Sequence, residues 1–142
     1  MTIIKQILGT NRRRILSIAP DDSVYNAIKM MADNNVGSLV VMEGGKLVGI
    51  ITERDYSRKV ILKGKSSPKT MVKEIMSTHV ICVHPDETVK ECMAIMTDKR
   101  IRHLPVIVDD EVIGVVSIGD LVKSIISDQQ FVIEQLEHYI AG

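Results

Sequence analysis

The chain has 142 residues, with 18 basic and 18 acidic side chains and a formal net charge of +0 at pH 7. This length is enough for one compact domain with a core, and the balanced charge excludes a bulk electrostatic attraction to nucleic acid. No apolar run approaches the roughly 18 to 20 residues of a membrane-spanning helix, so the sequence predicts no membrane segment.

The segment 1–8 lacks the leading charge and the cleavage pattern of a secretory signal. Cys82 and Cys92 are the only cysteines. Two cysteines in a chain without such a signal are expected to be reduced and buried. These features together predict a cytoplasmic protein.

An internal duplication is the most informative feature of the chain. The segment 18–60 aligns without a gap with the segment 83–125, a shift of 65 residues. Nine of the 43 aligned positions are identical, where unrelated sequences would share roughly 2 to 3. The identical pairs are Pro20/Pro85, Asp21/Asp86, Val24/Val89, Met31/Met96, Asp33/Asp98, Leu39/Leu104, Val41/Val106, Gly49/Gly114 and Asp55/Asp120. A duplication predicts two related folding units in one domain, with a pseudo-twofold cleft between them.

Each repeat is predicted to fold as strand, helix, strand, strand, helix. In the first repeat, Ser23 is expected to cap a helix whose apolar residues recur at helical spacing. The predicted strands are 15–18, 39–42 and 47–51, with a tight turn at Gly44 and Gly45 between the last two. A further helix is expected to start at Thr52, where the last strand ends.

The second repeat follows the same order. Thr88-x-x-Glu91 fits a capping box ahead of its first helix. The predicted strands that follow are 104–108 and 112–116, with a tight turn at Asp109 and Asp110 between them. The next helix is expected to start at Ser117.

Two segments outside the duplication have their own patterns. The linker 63–73 is rich in Gly, Ser and Pro and is predicted to be an exposed loop. Ser127-Asp128 resembles another capped helix start, followed by apolar residues on one side, namely Phe131, Val132, Leu136 and Ile140. A helix of about 12 to 15 residues is marginal alone in water, so this one is expected to pack on its own domain or on a dimer partner.

A hydroxyl and a carboxylate three residues apart form the sharpest local motif, with Thr52 and Asp55 in one repeat and Ser117 and Asp120 in the other. One interpretation is a capping box, although such a box prefers the longer Glu or Gln at its third position. The other is a ligand site in which the helix N-terminus faces an anion such as phosphate. The carboxylate would then accept hydrogen bonds from the vicinal hydroxyls of a ribose. The spacing leaves both interpretations open.

The duplicated segments together resemble a pair of CBS domains, the cystathionine-β-synthase type repeat paired as a Bateman module, over roughly 16–126. The motifs that carry this resemblance are 20–24, 49–55, 100–106 and 114–120. It implies an α+β fold of tandem β-α-β-β-α repeats packed sheet to sheet around a pseudo-twofold axis, with N- and C-terminal helical extensions. The expected boundaries are 8–62 for the first repeat, 63–75 for the linker, 76–128 for the second repeat and 129–142 for a C-terminal helix.

The resemblance also implies two clefts that bind an adenosine ligand: AMP, ADP, ATP, S-adenosylmethionine or NAD(H). Asp55 and Asp120 would anchor the ribose, and Thr52 and Ser117 would contact phosphate or ribose. The walls implied for the cleft using Asp120 are Leu16, Val36, Gly37 and Val115. The walls implied for the cleft using Asp55 are Ile50, Ile81, Ile101 and Arg102.

Three side chains are expected to neutralise phosphates, since they can present positive charge to phosphate oxygens: Arg54, Arg102 and His103. The alternative for Arg54 is a solvated helix residue. For His103 it is a packed or surface histidine. The other histidines lack metal-binding spacing, and no metal site is expected.

No nucleophile–base set, phosphate-binding glycine loop or Cys/His cluster appears, so we expect no enzyme and no catalytic cofactor. We expect instead a regulatory module for energy or redox sensing that binds an adenine nucleotide, forms a homodimer and signals to a separate target protein. One alternative is a scaffolding homodimer with empty clefts. Another is a nucleic-acid-binding protein, which would use Arg12–Arg14 and lysines 59, 63, 65, 69 and 73, but no interleaved aromatic residues accompany them.

Overall fold

The computed structural model describes residues 1–9 and 15–141. In chain order, its helices and strands are α1 (Ile4–Leu8), β1 (Ser17–Ile18), α2 (Val24–Asn34), β2 (Ser38–Glu43), β3 (Lys46–Thr52), α3 (Glu53–Tyr56), a π-helix (Ser57–Ile61), a 3-10 helix (Ser67–Lys69), α4 (Val72–Ile75), α5 (Val89–Lys99), β4 (His103–Val108), β5 (Glu111–Ser117) and α6 (Ile118–Ala141). The fold is mixed α+β with two small sheets, as predicted.

Two compact units make up the described chain. The first-repeat unit comprises residues 15–81 together with 109–112. The second-repeat unit comprises residues 1–9, 82–108 and 113–141. The N-terminal segment therefore packs in the unit of the second repeat, not in that of the first.

In the first-repeat unit, three strands form a sheet in the order β1-β2-β3. Strand β1 runs parallel to β2, with Ile18 opposite Val41, and β2 pairs antiparallel with β3. The core beneath this sheet is aliphatic and includes Val24, Met31, Leu39, Ile51 and Val72.

In the second-repeat unit, β4 and β5 form a two-stranded sheet, and Val83 makes a parallel bridge to Val106. These two residues lie 65 positions after Ile18 and Val41, which pair in the same parallel sense. The duplication in sequence is therefore a duplication of strand pairing.

Local turn and cap chemistry recurs in both repeats. Gly44 and Gly45 have φ of 58° and 77°, and Asp109 and Asp110 have φ of 49° and 63°. Positive φ at both central residues is what a two-residue type I′ hairpin requires, so the predicted turns are confirmed. The predicted capping box is also confirmed, because Thr88 Oγ1 accepts a hydrogen bond of 3.0 Å from the backbone of Glu91.

Helices α1 and α4 form a second internal repeat, shifted by 68 residues, that was not predicted. The segment 2–8 reads Thr-Ile-Ile-Lys-Gln-Ile-Leu, and the segment 70–76 reads Thr-Met-Val-Lys-Glu-Ile-Met. Each docks on one repeat through matching backbone hydrogen bonds. They are Ile4 N to Glu87 O (2.9 Å) and Val89 N to Thr2 O (3.0 Å), matched by Val72 N to Asp22 O (2.8 Å) and Val24 N to Thr70 O (2.8 Å).

The prediction of an exposed loop over 63–73 is wrong for its last part. Thr70 and Val72 are buried, and α4 begins at Val72. The reason is the backbone pairing with the turn before α2, which removes this end of the linker from water.

The predicted helix start at Ser127-Asp128 is also wrong, because α6 is one helix of 24 residues. No glycine or proline interrupts 120–141. The Asp128 carboxylate accepts a hydrogen bond of 2.7 Å from Thr2 Oγ1, so Asp128 contacts a distant side chain and not the next helical turn. None of the helices in residues 1–9 and 15–141 combines the length and apolar character needed to cross a membrane.

Candidate functional site

The motif of the first repeat lies where β3 ends and α3 begins. The backbone N–H of Thr52 donates to Asp55 Oδ2 at 3.0 Å, and the N–H of Asp55 donates to Thr52 Oγ1 at 3.2 Å. The Thr52 hydroxyl also donates to Asp55 Oδ2, at 3.1 Å. This is a capping box with Asp in its third position, and both residues are half-buried.

The motif of the second repeat has the same geometry at the start of α6. The N–H of Ser117 donates to Asp120 Oδ2 at 2.8 Å, and the N–H of Asp120 donates to Ser117 Oγ at 3.2 Å. The capping interpretation is therefore confirmed in both repeats. It accounts for only one oxygen of each carboxylate.

The second carboxylate oxygen distinguishes the two motifs. Asp55 Oδ1 lies 3.1 Å from Lys59 Nζ, which also donates to the backbone oxygen of Ile75 at 2.9 Å. Ser124 stands at the position equivalent to Lys59, 65 residues later. Within residues 1–9 and 15–141, Asp120 Oδ1 has no hydrogen bond or ion pair. We call the motif of the first repeat closed, because Lys59 occupies the second carboxylate oxygen of Asp55. We call the motif of the second repeat open, because the equivalent oxygen of Asp120 has no such contact in the described residues.

Sequence reasoning placed Lys59 only in a basic cluster around the linker and missed this contact. The usable signal was its position four residues after Asp55, since residues i and i+4 are neighbours on a helix. The change from Lys59 to Ser124 in the aligned repeats was the matching sign of asymmetry.

One predicted wall residue in each repeat lies beside the motif of its own unit. The N–H of Glu53 donates to the backbone oxygen of Gly37 at 3.1 Å, and the N–H of Ile118 donates to that of Arg102 at 2.8 Å. Gly37 and Arg102 are themselves equivalent positions of the duplication. Their assignment to the cleft of the other repeat stays a prediction.

The other predicted site residues differ in exposure. The half-buried ones are Leu16, Val36, Ile50, Ile81, Ile101, His103 and Val115, whereas Arg54 and Arg102 are exposed. Ile50 is held by a pair of backbone hydrogen bonds with Ser77, of 3.0 and 2.9 Å. Partly exposed aliphatic side chains fit the apolar lining of ligand pockets, but their contact with a ligand stays a prediction.

A shallow, open depression of about 470 Å³ lies within the second-repeat unit. It is lined by residues of α6, namely Asp120, Lys123, Ser124, Ser127 and Asp128, and by Thr2, Gln6 and Ile7 of the N-terminal segment. Asp120 is therefore accessible to a small molecule from this side.

The structure also tests the expectations about metal-binding residues and about the two cysteines. In the part of the chain that the structure describes, no cluster of His, Cys, Asp and Glu could hold a metal ion. Cys92 is a buried free thiol, and Cys82 is half-buried. Burial raises the pKa of the Cys92 thiol to about 11, with the charges of Glu87 and Glu91 adding to the effect.

The basic cluster at Arg12–Arg14 lies outside the described residues. Among the linker lysines, Lys73 lies 2.9 Å from an oxygen of Asp21, and Lys59 is engaged by Asp55. Two of the five lysines that a nucleic-acid phosphate would need are therefore already paired with carboxylates.

Comparison with known proteins identifies the family. The family model described as "CBS domain" matches residues 4–61 and 72–127. The mitochondrial CBS domain-containing protein CBSX3 of Arabidopsis thaliana is 48% identical over 127 residues, which are 86% of this chain and 62% of that protein. The chain thus spans less than two thirds of that relative.

Solved structures agree with this match. A putative signal-transduction protein with CBS domains from Burkholderia ambifaria MC40-6 has a TM-score of 0.87 and 49% identity, covering 90% of this chain and 96% of that one. The CBS domain pair of protein MJ0100, solved in complex with 5′-methylthioadenosine and S-adenosyl-L-methionine, has a TM-score of 0.80 and 29% identity, covering 90% and 98%. The chain belongs to the CBS domain family and carries a pair of these domains.

Proposed function

We propose that this chain is a regulatory module that binds an adenosine-containing ligand at the motif of Ser117 and Asp120 and signals its presence to a separate protein. The ligand class is supported by the MJ0100 domain pair, which was solved with two adenosine compounds. The candidates remain AMP, ADP, ATP, NAD(H) and S-adenosylmethionine.

The proposal rests on Asp120 Oδ1, the carboxylate oxygen that the capping box does not use. The hydrogen bond from Ser117 N–H to Oδ2 fixes the orientation of the carboxylate. In the described structure Oδ1 is left without a partner, so it can accept from a ribose hydroxyl. A charged acceptor makes a stronger hydrogen bond than a neutral one, which favours this role.

The start of α6 also has a backbone N–H group that can donate a hydrogen bond to a phosphate. The first-turn amides of Ile118 and Asp120 donate to Arg102 O and Ser117 Oγ. The amide of Gly119, between them, has no acceptor in the described structure, and a Cβ built there would approach only Ser117 Oγ, at 3.6 Å. An anion is stabilised at such a helix end by free N–H groups and by the helix dipole.

The motif of the first repeat is proposed as the weaker site. A ligand there must displace Lys59 from Asp55 Oδ1 before that oxygen can accept a hydroxyl. An ion pair of this kind is worth about 0.2–1 kcal/mol, so the difference in affinity is expected to be small but measurable.

Regulation, the homodimer and the cytoplasmic location are further parts of the proposal. A ligand shifts an equilibrium between two states only if it binds one of them more tightly. The exposed apolar residues of α6 support association between two copies of the chain. A separate target protein would respond to the ligand-bound state.

The test is mass spectrometry of small molecules released from the purified protein, followed by thermal melting with each candidate and with 5′-methylthioadenosine. A ligand at a hundredfold excess over its Kd adds about 2.7 kcal/mol, or roughly 5 to 10 °C in a domain of this size. A stabilising ligand of the adenosine class is the expected result. No released ligand and no shift with any compound would favour the scaffolding alternative, in which the two motifs are only helix caps.

A further inference from the structure

The second half of α6 carries an exposed apolar surface. Leu121 is the only buried residue among the described residues of this helix. Farther along, Ile126 is 59% exposed, Ile133 47%, Leu136 55% and Ile140 82%. Contiguous exposed apolar surface of several hundred Å² marks an interaction site in soluble proteins.

These side chains follow a heptad spacing. The residues recur at alternating intervals of four and three: Val122, Ile126, Gln129, Ile133, Leu136 and Ile140. We call these six residues the seam. At 3.6 residues per turn, such intervals keep all six on one narrow stripe of the helix.

The prediction that Phe131 shares a side with Leu136 is wrong for this continuous helix. Five residues separate the two, which is about 140° around the helix axis. Phe131 is 62% exposed and lies off the seam. It provides an exposed apolar residue for comparison with the seam.

We infer that the seam is covered by the seam of a second copy of this chain, as a parallel two-stranded coiled coil. Ile126, Ile133 and Ile140 occupy one core position of the heptad, and Val122, Gln129 and Leu136 occupy the other. Isoleucine at the first core position with leucine at the second, as at Ile133 and Leu136, favours two parallel strands.

Gln129 argues for an identical partner in the same direction. In a parallel pair in register, Gln129 faces its own copy, and each amide can donate to and accept from the other. Against an apolar side chain, the same buried amide would lose its water without a replacement hydrogen bond. An antiparallel pair in general places Gln129 opposite a different residue.

The charges on α6 permit this pairing. Asp128 and Glu134 each lie about 120° from the middle of the seam, so two copies do not bring them together. Glu137 flanks the seam and would face Val132 of the second helix, because positions e and g meet across a parallel pair.

This inference rests on the proposed homodimer and assigns to it a surface and an orientation. The first experiment measures the molar mass of the full chain by light scattering for the wild type, Ile133→Asp and Phe131→Asp. We expect dimer, monomer and dimer, with native circular dichroism in all three because both positions are exposed. A monomeric wild type would overturn the homodimer itself. A dimeric Ile133→Asp would overturn the seam and leave the homodimer standing.

The second experiment tests the orientation by oxidation of Gln129→Cys, with Gln135→Cys as the control from the opposite side of the same helix. Facing core positions of a parallel pair are close enough for a disulfide. We expect a covalent dimer of Gln129→Cys and none of Gln135→Cys. Equal cross-linking of the two variants, or cross-linking only between Gln129→Cys and Ile133→Cys chains in a mixture, as an antiparallel pairing of the seam would give, would overturn the parallel arrangement.

Discussion

Lys59 Nζ lies 3.1 Å from Asp55 Oδ1 and joins the two residues across one turn of the chain that follows β3. The equivalent pair in the second repeat is Asp120 with Ser124, whose hydroxyl cannot replace the lysine charge. The duplication has therefore kept both carboxylates and both caps while the access to the carboxylates has diverged. We interpret this as a division into one open and one closed motif.

Exchanging these two residues tests the division. Lys59→Ser should strengthen binding at the first motif, and Ser124→Lys should weaken binding at the second. The expected change is up to about fivefold in each direction, because such a pair contributes about 0.2–1 kcal/mol. Calorimetric titration with 5′-methylthioadenosine is the measurement, since this compound carries no phosphate that could attract the lysine. Unchanged affinity in both variants would show that Lys59 does not control access.

Two equivalent glycines make room for α1 and for the end of α4. A Cβ at Gly114 would lie 2.8 Å from Leu8 Cδ2, and one at Gly49 would lie 2.7 Å from Met76 Sδ and 3.0 Å from the backbone oxygen of Ser77. Alanine at either position should destabilise the fold by about 1–3 kcal/mol through overpacking. The loss should be larger at Gly49, because the Ser77 oxygen is fixed by its hydrogen bond to Ile50.

Urea unfolding of Gly49→Ala and Gly114→Ala measures this difference. As a control, Leu8→Ala should offset part of the loss in Gly114→Ala by removing the side chain that the new methyl group meets. A larger loss for Gly114→Ala than for Gly49→Ala would contradict this account of the two contacts.

Much of the local structure follows from chemistry that the sequence displays. The caps at Thr52, Thr88 and Ser117 depend on a side chain and an amide three residues apart, so they are visible in the chain itself. The hairpin turns are visible for the same reason, because two adjacent residues with positive φ favour Gly, Asn and Asp.

The features that were not predicted depend on distant partners. Helices α1 and α4 have five and four residues, which is too short for a periodic pattern, and their 68-residue shift differs from that of the main duplication. Their docking on the two repeats is visible only in the backbone hydrogen bonds that they make with the turns before α5 and α2. The prediction of a helix start at Ser127-Asp128 was wrong, because α6 is continuous there. The Asp128 carboxylate accepts a hydrogen bond from Thr2, a residue 126 positions away, which the local sequence does not show.

The buried thiol of Cys92 predicts how stability changes at high pH. Its pKa rises from an ordinary value of 9.0 to about 11 in the fold. Above pH 9 the unfolded chain releases this proton first, so the stabilising contribution is complete below pH 9 and is lost between pH 9 and 11. The free energy of unfolding of the wild type minus that of Cys92→Ala should therefore fall over this range. A difference that stays constant from pH 8 to 11 would be inconsistent with a raised pKa.

The proposed function depends most directly on the open carboxylate of Asp120. Asp120→Asn keeps an oxygen that can accept from Ser117 N–H, and asparagine is compatible with helix starts, so the fold should be retained. The decisive measurement is calorimetric titration of the stabilising adenosine ligand into the wild type, Asp120→Asn and Asp55→Asn. We predict at least about a tenfold loss of affinity for Asp120→Asn, because a hydrogen bond to a charged group contributes about 1.5–3 kcal/mol, and a smaller loss for Asp55→Asn. Wild-type affinity in a folded Asp120→Asn would contradict the proposal.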